Sequence, residues 1–262
     1  MCAYKIPISS PLLFDSLTET KQMMITGFLS LFDQKMETGS NDQAPKMELL
    51  ERNGSSTICQ ASSFKYPIDV YGASGALVGT TMVSCGGRSG RYPHYTYYDS
   101  CYSFDKQNNQ WKFLSKMSKA RKGTAAISIH NGVWITGGYD GDNRLSSTEF
   151  IFLNGTKKAG PSLPQPRSRH CLVQYKGTII LTGGYGGERS IVIYRQVKDN
   201  IEEIGNGPDM TNDRRGHGCG IFQSSQHGGR PILVIAGDST SEYWDFTVPD
   251  SKWQLRSKSY VV

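Results

Sequence analysis

Short apolar runs that end at glycines alternate with polar turns along most of the chain. Residues 133–136 read VWIT and are followed by Gly-Gly-Tyr, and residues 178–182 read TIILT and are followed by the same three residues. Short runs of β-branched and aromatic residues are typical of buried strands, and helix-favouring runs of Ala, Leu and Glu are scarce. The pattern predicts an all-β protein with many tight turns.

The glycine-ended run recurs at intervals of about 50 residues. The first glycines of the successive runs are Gly27, Gly86, Gly137, Gly183 and Gly237. They lie 59, 51, 46 and 54 residues apart, and further short strands accompany them. Four short strands per unit at this period predict the blades of a β-propeller. The predicted single domain spans residues 1–262, and its approximate units are 1–66, 67–118, 119–164, 165–211 and 212–262.

The glycine pair after the second strand, the aromatic residue behind it and the Trp of the fourth strand resemble the kelch repeat. The resemblance covers roughly residues 20–258 and is closest in the three middle units, whereas Phe28 and Asp238 replace the second glycine in the outer ones. It implies a kelch-type β-propeller of about five four-stranded blades. Because kelch propellers commonly have six or seven blades, the alternative is an incomplete six-bladed propeller.

The bulk composition limits the classes of partner. The chain is 37% hydrophobic and 20% charged, which indicates a globular protein, and its net charge of +6 is spread along the sequence. A nucleic-acid-binding protein usually concentrates its basic residues on one element, so we expect no nucleic-acid partner. No apolar run reaches the ~18 residues of a membrane span, and the N-terminus lacks the features of a signal peptide.

Residues 71–79, YGASGALVG, resemble the turn that binds a dinucleotide. Such a turn needs a helix that begins at the glycines. The residues that follow include two Thr, several Gly and a Pro, which do not favour a helix. Aligned with the repeat, the stretch is instead the first strand of the second unit, with its hairpin at Gly79.

No motif in the chain predicts catalysis or a cofactor. His170 and His217 occupy matching positions of the repeat, without the spacing of a metal site, and we expect them to be hydrogen-bonded structural residues near the axis. The six cysteines form no CxxC pair. We therefore predict no catalytic residue, no metal and no cofactor. The alternative is a propeller enzyme such as an oxidase or a sugar epimerase.

One disulfide and two glycosylation sites are predicted. Cys85 ends a second strand and Cys101 begins the antiparallel strand after it, so the two ends lie at the same face of one blade. The alternative is two free thiols, typical of a cytosolic protein. Asn53 and Asn154 begin N-glycosylation sequons, although Asn-Gly is also a preferred hairpin turn. Together these features favour an extracellular over a cytoplasmic location.

The loops that lead into the first strands and the loops that leave the second strands share one face of a propeller, which we call the loop face. These loops are rich in Arg and Tyr, the usual anchors of interfaces, and guanidinium groups suit carboxylates. We therefore predict that the loop face binds a protein partner through an acidic segment, or an anionic glycan. The predicted partner-binding residues are Arg88, Arg91, Arg121, Arg144, Arg167, Arg169, Arg189, Arg214, Arg215, Tyr95, Tyr139 and Tyr185.

Two alternatives remain for these residues. The arginines can brace adjacent loops through nearby carboxylates; the candidates are Asp140, Asp142, Asp213 and Glu188. The chain can also be the substrate-recognition or actin-binding kelch fragment of a cytosolic adaptor, since both kinds of protein use kelch propellers.

Overall fold

A computed structural model describes residues 48–53, 56–61, 66–105, 107–108, 110–223, 228–237 and 240–256. All regular elements in these ranges are β-strands, which confirms the all-β prediction. Most of the predicted first unit, 1–66, lies outside the described residues. Within the ranges given above, no helix is long and apolar enough to cross a membrane.

In the described ranges, twenty strands form four four-stranded sheets and two short hairpins. Strands β1 (Glu48–Asn53) and β2 (Ser56–Ala61) pair with each other. The next sheet contains β3 (Ser74–Val78), β4 (Thr81–Cys85), β7 (Ser100–Asp105) and β8 (Gln110–Lys116). Between β4 and β7 the chain forms a separate hairpin of β5 (Arg88–Arg91) and β6 (His94–Tyr97).

Each remaining sheet is built from four consecutive antiparallel strands. One contains β9 (Ala125–Ile129), β10 (Gly132–Thr136), β11 (Thr148–Phe152) and β12 (Lys157–Ala159). The next contains β13 (Cys171–Tyr175), β14 (Thr178–Thr182), β15 (Ile191–Val197) and β16 (Asn200–Asn206). The last contains β17 (Gly218–Gln223), β18 (Pro231–Gly237), β19 (Thr240–Trp244) and β20 (Gln254–Arg256).

The four sheets are propeller blades, which we number 2 to 5 after the predicted units, so that blade 2 is β3-β4-β7-β8 and blade 5 is β17–β20. Their first strands, β3, β9, β13 and β17, contact one another in succession and line the axis. With the β1–β2 pair before them, the sheets are consistent with a propeller of about five blades. Because strand direction alternates, the loops that precede the first strands and follow the second strands lie at one end of the blades, as predicted.

The core lies between neighbouring blades. Trp134, Phe150 and Val192 pack in one cluster between blades 3 and 4, whereas Val133 and Ile135 pack on the other side of the same strand, against blade 2. All five residues of β10 are therefore buried. A second strand that is covered on both faces explains why VWIT and TIILT are continuous apolar runs rather than alternating ones.

The stretch YGASGALVG forms a hairpin, as the repeat predicted. β3 pairs with β4 in register from Ser74 opposite Cys85 to Val78 opposite Thr81. Gly79 lies in the turn between them with a φ of +59°, a conformation that costs glycine no Cβ clash. The glycines therefore serve a β-turn, and no helix follows them.

Two disulfides join four of the cysteines in the described ranges. Cys85 and Cys101 lie opposite each other on β4 and β7 with an S–S distance of 2.03 Å, which confirms the predicted pair. Cys171 and Cys219 form the second, with an S–S distance of 2.10 Å. It joins β13 to β17 and thus links blade 4 to blade 5. The sequence did not predict this pair, because it depends on the adjacency of two first strands whose cysteines are 48 residues apart.

Removal of the inter-blade disulfide is expected to destabilise the last two blades. For the double variant Cys171→Ser/Cys219→Ser we expect a loss of about 2–4 kcal/mol of unfolding free energy, because the bond closes a long loop in the unfolded chain. Urea unfolding, followed by Trp fluorescence in non-reducing buffer, measures the loss. Equal stability of the variant and the parent, together with alkylatable thiols in the native parent, would contradict the bond.

Candidate protein-binding face

Three of the twelve predicted partner-binding residues are inside the molecule. The side chains of Arg121, Arg167 and Arg214 are each only 1% exposed. A partner at the surface cannot reach them, so their assignment to the binding face is wrong. They occupy the same position in three successive units, which indicates a structural role that is repeated in each blade.

Each buried arginine connects two blades through its backbone and its side chain. Arg121 Nη1 donates hydrogen bonds to the carbonyl oxygens of Gly137 (3.0 Å) and Ser147 (2.9 Å) in its own blade. Its carbonyl oxygen accepts the N–H of Gly87 in blade 2 at 2.9 Å. The repeated Arg and the repeated glycine pair are therefore two parts of one inter-blade brace.

The same contacts recur around the axis. Arg167 and Arg214 donate from Nη1 to the first-glycine carbonyls of their own blades, Gly183 O (3.1 Å) and Gly237 O (2.9 Å). Their carbonyls accept the N–H groups of Gly138 (2.8 Å) and Gly184 (2.7 Å) in the preceding blades. The bracing alternative thus holds for these three arginines.

Two of the buried arginines have a buried carboxylate partner. Arg121 Nη2 lies 3.1 Å from Glu149 Oε1, and Arg214 Nε lies 2.9 Å from Glu242 Oε1. These glutamates lie on the third strands and are not among the loop carboxylates that the sequence suggested. Burial lowers the pKa of Arg121, and the charge on Glu149 opposes that effect.

The other nine predicted residues reach the surface of the loop face. Four are exposed: Arg91, Arg144, Arg189 and Arg215. Five are half-buried: Arg88, Arg169, Tyr95, Tyr139 and Tyr185. Seven of them fall into two groups, one on the β5–β6 hairpin and one around Tyr185, and Tyr139 and Arg189 belong to neither.

The first group, which we call the hairpin group, comprises Arg88, Arg91, Tyr92 and Tyr95. The guanidinium carbon of Arg88 lies 3.9 Å from the ring centroid of Tyr95, within the range of a cation–π contact. Tyr92 is 84% exposed and packs edge-on against Tyr95, with 6.3 Å between centroids. The hairpin therefore presents aromatic and cationic surface that the fold itself does not bury.

The second group, which we call the Tyr185 cluster, comprises Tyr185, Arg144, Arg169 and Arg215. The three guanidinium carbons lie 5.1, 6.0 and 4.8 Å from the ring centroid of Tyr185. Arg144 comes from blade 3, Arg169 and Tyr185 from blade 4, and Arg215 from the loop that leads into blade 5. Assembly of the blades thus brings three positive charges to one aromatic ring.

His170 and His217 have the structural role that the repeat predicted. Each is buried, and its Nε2 shares a hydrogen bond with a threonine of the preceding blade, Thr136 for His170 and Thr182 for His217, both at 2.7 Å. Burial lowers the pKa of each imidazole to about 3. Both are therefore neutral near pH 7.

The buried histidines are expected to make the fold acid-sensitive. In the unfolded chain a histidine has a pKa of about 6.5, whereas the folded imidazole becomes protonated only near pH 3. The unfolded state therefore binds more protons between these pH values, and the free energy of unfolding falls as the pH decreases through that range. Between pH 7 and pH 4.5 we expect each histidine to contribute a loss of about 2 kcal/mol. Urea unfolding of the parent and of His170→Gln at both pH values measures it.

An exposed histidine provides the control for this pH dependence. The variant His94→Gln keeps both buried imidazoles and all carboxylates, so it is expected to lose as much stability on acidification as the parent. A parallel decline in all three proteins would show that carboxylates alone cause the acid sensitivity.

The remaining predicted sites lie away from the loop face or outside the description. Asn154 is exposed in the β11–β12 hairpin at the opposite end of blade 3, and its Oδ1 accepts the backbone N–H and the hydroxyl of Thr156 at 3.0 and 2.7 Å. Asn53 ends β1, and the next two residues of its sequon lie outside the described residues. Among the residues that the structure describes, no cluster of three His, Cys, Asp or Glu side chains can hold a metal ion.

The similarities of this chain to known proteins agree with this architecture. The family model of the kelch motif matches residues 70–118, which contain blade 2. The matched motif and the repeated blades support a kelch-repeat protein. Spermatocyte protein spe-26 of Caenorhabditis elegans is 29% identical over 85 residues, and Kelch repeat protein M-T8 of Myxoma virus (strain Lausanne) is 31% identical over 84. Kelch-like protein 41b of Danio rerio is 31% identical over 88 residues.

This chain shares only part of its length with these relatives. The three matches cover 32%, 31% and 33% of this chain, and 15%, 16% and 14% of the respective relatives. The solved structure of YjhT superposes with a TM-score of 0.62 over 80% of this chain and 77% of that one, at 12% identity. That likeness concerns the fold alone, and it agrees with a kelch-type propeller.

Proposed function

We propose that this kelch-repeat protein is a non-enzymatic interaction module whose loop face binds an acidic segment of a partner protein. The observation that carries the proposal is the group of nine Arg and Tyr side chains that reach the surface of one face. Arg and Tyr contribute large contact areas and several hydrogen-bond donors, and they dominate the binding energy of many interfaces.

The charge balance of the loop face favours an acidic partner. Arg144 and Arg215 lie over the ring of Tyr185, and Arg88 lies over that of Tyr95. One of its carboxylates is engaged by its own loop: Asp140 Oδ1 accepts the backbone N–H groups of Asn143 (2.8 Å) and Asp142 (3.0 Å), and these bonds lower the pKa of Asp140. Charge-assisted bonds from guanidinium to carboxylate are stronger than neutral ones.

Loss of four surface arginines of the loop face is expected to weaken the binding of acidic peptides. The probe is a fluorescent degenerate peptide library of about 12 residues with four fixed Asp or Glu positions, measured by fluorescence anisotropy. We expect at least about a tenfold weaker affinity for the pooled variant, since each charge-assisted bond contributes about 1.5–3 kcal/mol. The pooled substitutions are Arg88→Gln, Arg91→Gln, Arg144→Gln and Arg215→Gln.

A second pooled variant at the opposite end of the blades controls for net charge. It carries the substitutions Lys157→Gln, Lys176→Gln, Arg195→Gln and Lys198→Gln, all at exposed residues. We expect it to bind the library like the parent. An equal loss of affinity in both pools, or none in either, would refute a specific role of the loop face.

A further inference from the structure

Blade 4 lacks the buried carboxylate that its neighbours have. Glu149 lies opposite Ile135 in blade 3, and Glu242 lies opposite Ile235 in blade 5. The corresponding residue of blade 4, opposite Leu181, is Val192. The brace arginine of this blade, Arg167, therefore has a hydrocarbon side chain where the other two have an anion.

The hydrogen-bond donor that supports the missing carboxylate is absent as well. The residue three positions before the brace arginine donates its backbone N–H to the glutamate, from Ser118 to Glu149 and from Thr211 to Glu242, at about 2.9–3.0 Å. The corresponding residue before Arg167 is Pro164, which has no N–H. Both parts of the carboxylate site are thus replaced together in blade 4.

Arg167 consequently carries a buried charge without an anion beside it. It donates from Nη1 to Gly183 O and to Ser190 Oγ (2.9 Å), while its Nε has no hydrogen-bond partner among the described residues. Arginine stays protonated in proteins even though burial lowers the pKa of Arg167. A Cβ added to Gly187 would lie 2.8 Å from its Cζ, so the 183–190 loop lies directly against this guanidinium.

Tyr185, the ring at the centre of the Tyr185 cluster, is on that same loop. Glu188, also on this loop, has its pKa lowered by backbone hydrogen bonds and in part by Arg215 and Arg144, and both Glu188 and Glu203 act on the buried Arg167. Glu188 Oε1 also accepts the N–H of Gly186 at 3.2 Å. Three surface guanidiniums around one aromatic ring still make this a strongly basic part of the loop face.

The backbone at Arg169 adds an independent observation. Gly72, Gly123, Arg169 and Gly216 occupy equivalent positions, and each hydrogen-bonds through its backbone to the next around the axis. The three glycines have φ angles of 67°, 59° and 64°, and Arg169 has 56°. A side chain in this left-handed conformation is unfavourable, and such positions cluster where a side chain serves binding.

We propose that the Tyr185 cluster anchors a phosphorylated side chain of the partner protein. The inference rests on the proposed function and names the chemistry of its central contact. A phosphate monoester carries a charge of about −1.5 to −2 and three acceptor oxygens. It can therefore accept hydrogen bonds from several guanidiniums at once, whereas a carboxylate offers only two oxygens and one charge.

Matched degenerate peptide libraries test the anchor. Three libraries of the same composition differ only at a central fixed residue, which is phosphoserine, Glu or Ser, and binding to the full chain is measured by fluorescence anisotropy. We expect the phosphoserine library to bind at least about tenfold more tightly than the Glu library. Arg144→Gln and Arg215→Gln should each remove most of that preference. Arg195→Gln, an exposed arginine at the far end of blade 4, should leave it unchanged.

Two further variants change blade 4 and leave the guanidiniums of Arg144 and Arg215 in place. Val192→Glu places a carboxylate beside Arg167, as in blades 3 and 5, and should reduce the preference for phosphoserine about threefold or more. Because this change buries a charge, thermal unfolding checks that the variant folds. Arg169→Gly restores the glycine of the other units, so it should fold at least as stably as the parent and bind phosphoserine about fivefold more weakly.

The outcomes separate this inference from the proposed function. Equal binding of the phosphoserine and Glu libraries that still depends on Arg88 or Arg91 would overturn the phosphate anchor and leave the loop face as an acidic-peptide site. The phosphate anchor would also be overturned if heparin bound more tightly than any phosphopeptide. It would likewise be overturned if a library with a central sulfotyrosine bound as tightly as one with a central phosphotyrosine. Binding of every library without dependence on any loop-face arginine would overturn both.

Discussion

Replacement of Arg214 by Met is expected to lower the free energy of unfolding by about 3–5 kcal/mol. Arg214 and Glu242 are 1% and 0% exposed, and the guanidinium is the cation that offsets the buried carboxylate. Met fills a similar volume and leaves Glu242 with the N–H of Thr211 but without a charge partner. Removing one member of a buried ion pair costs far more than the pair contributes, because the remaining charge is neither solvated nor matched.

The same substitution in blade 4 serves as the control. Arg167→Met loses hydrogen bonds to Gly183 and Ser190 but leaves no carboxylate behind, so we expect a smaller loss of about 1–2 kcal/mol. Chemical denaturation at pH 7 compares the two variants, and the double variant Arg214→Met/Glu242→Leu should recover most of the stability. Equal losses of unfolding free energy for Arg214→Met and Arg167→Met would mean that the unpaired carboxylate of Glu242 does not contribute to the destabilisation.

Replacement of Gly183 by Ala is expected to destabilise the protein by about 3–4 kcal/mol, although it adds one methyl group. Gly183 has a φ of +57°, where a Cβ costs about 1–2 kcal/mol. The added Cβ would also lie 2.5 Å from the carbonyl oxygen of Arg214 and 2.7 Å from His217 Cε1, both in the next blade. The blades must move apart to accommodate the added methyl group, and overpacking of this kind costs about a further 1–3 kcal/mol.

Gly177 separates the two contributions. Its φ is +81°, and a Cβ there would have no atom of the described residues within 4 Å. Gly177→Ala should therefore cost only about 1 kcal/mol, from backbone conformation alone. Thermal unfolding of both variants gives the difference. If Gly177→Ala is as damaging as Gly183→Ala, the glycine pair is needed for its φ angle and not for the inter-blade contact.

The brace explains why one part of the sequence analysis succeeded and another failed. The glycines and the arginine recur from unit to unit because they contact each other across neighbouring blades, so their repetition indicated the propeller correctly. Constant position was also the signal that Arg121, Arg167 and Arg214 pack in the interior. Arg214 and Arg215 are consecutive in sequence, yet one is buried and the other exposed, and only the direction of each side chain from the loop distinguishes them.

The two disulfides show the same limit. Cys85 and Cys101 lie on strands that are neighbours in sequence as well as in space, so the strand order of one blade was sufficient to pair them. Cys171 and Cys219 lie on the first strands of different blades, and their pairing requires that those strands meet at the axis. Likewise, the absence of a carboxylate beside Arg167 emerges only when the third strands are aligned by register.

The sequence by itself determined the all-β class, the period of the blades, the hairpin at YGASGALVG, the structural histidines and the disulfide within blade 2. Each follows from local pattern, because strand periodicity, turn chemistry and short-range pairing act over a few residues. Only the tertiary structure decided which arginines brace the blades, which surround Tyr185, and that blade 4 has an unmatched buried charge. Those properties depend on contacts between residues of different blades, and their free energies come from burial and charge proximity that no single segment contains.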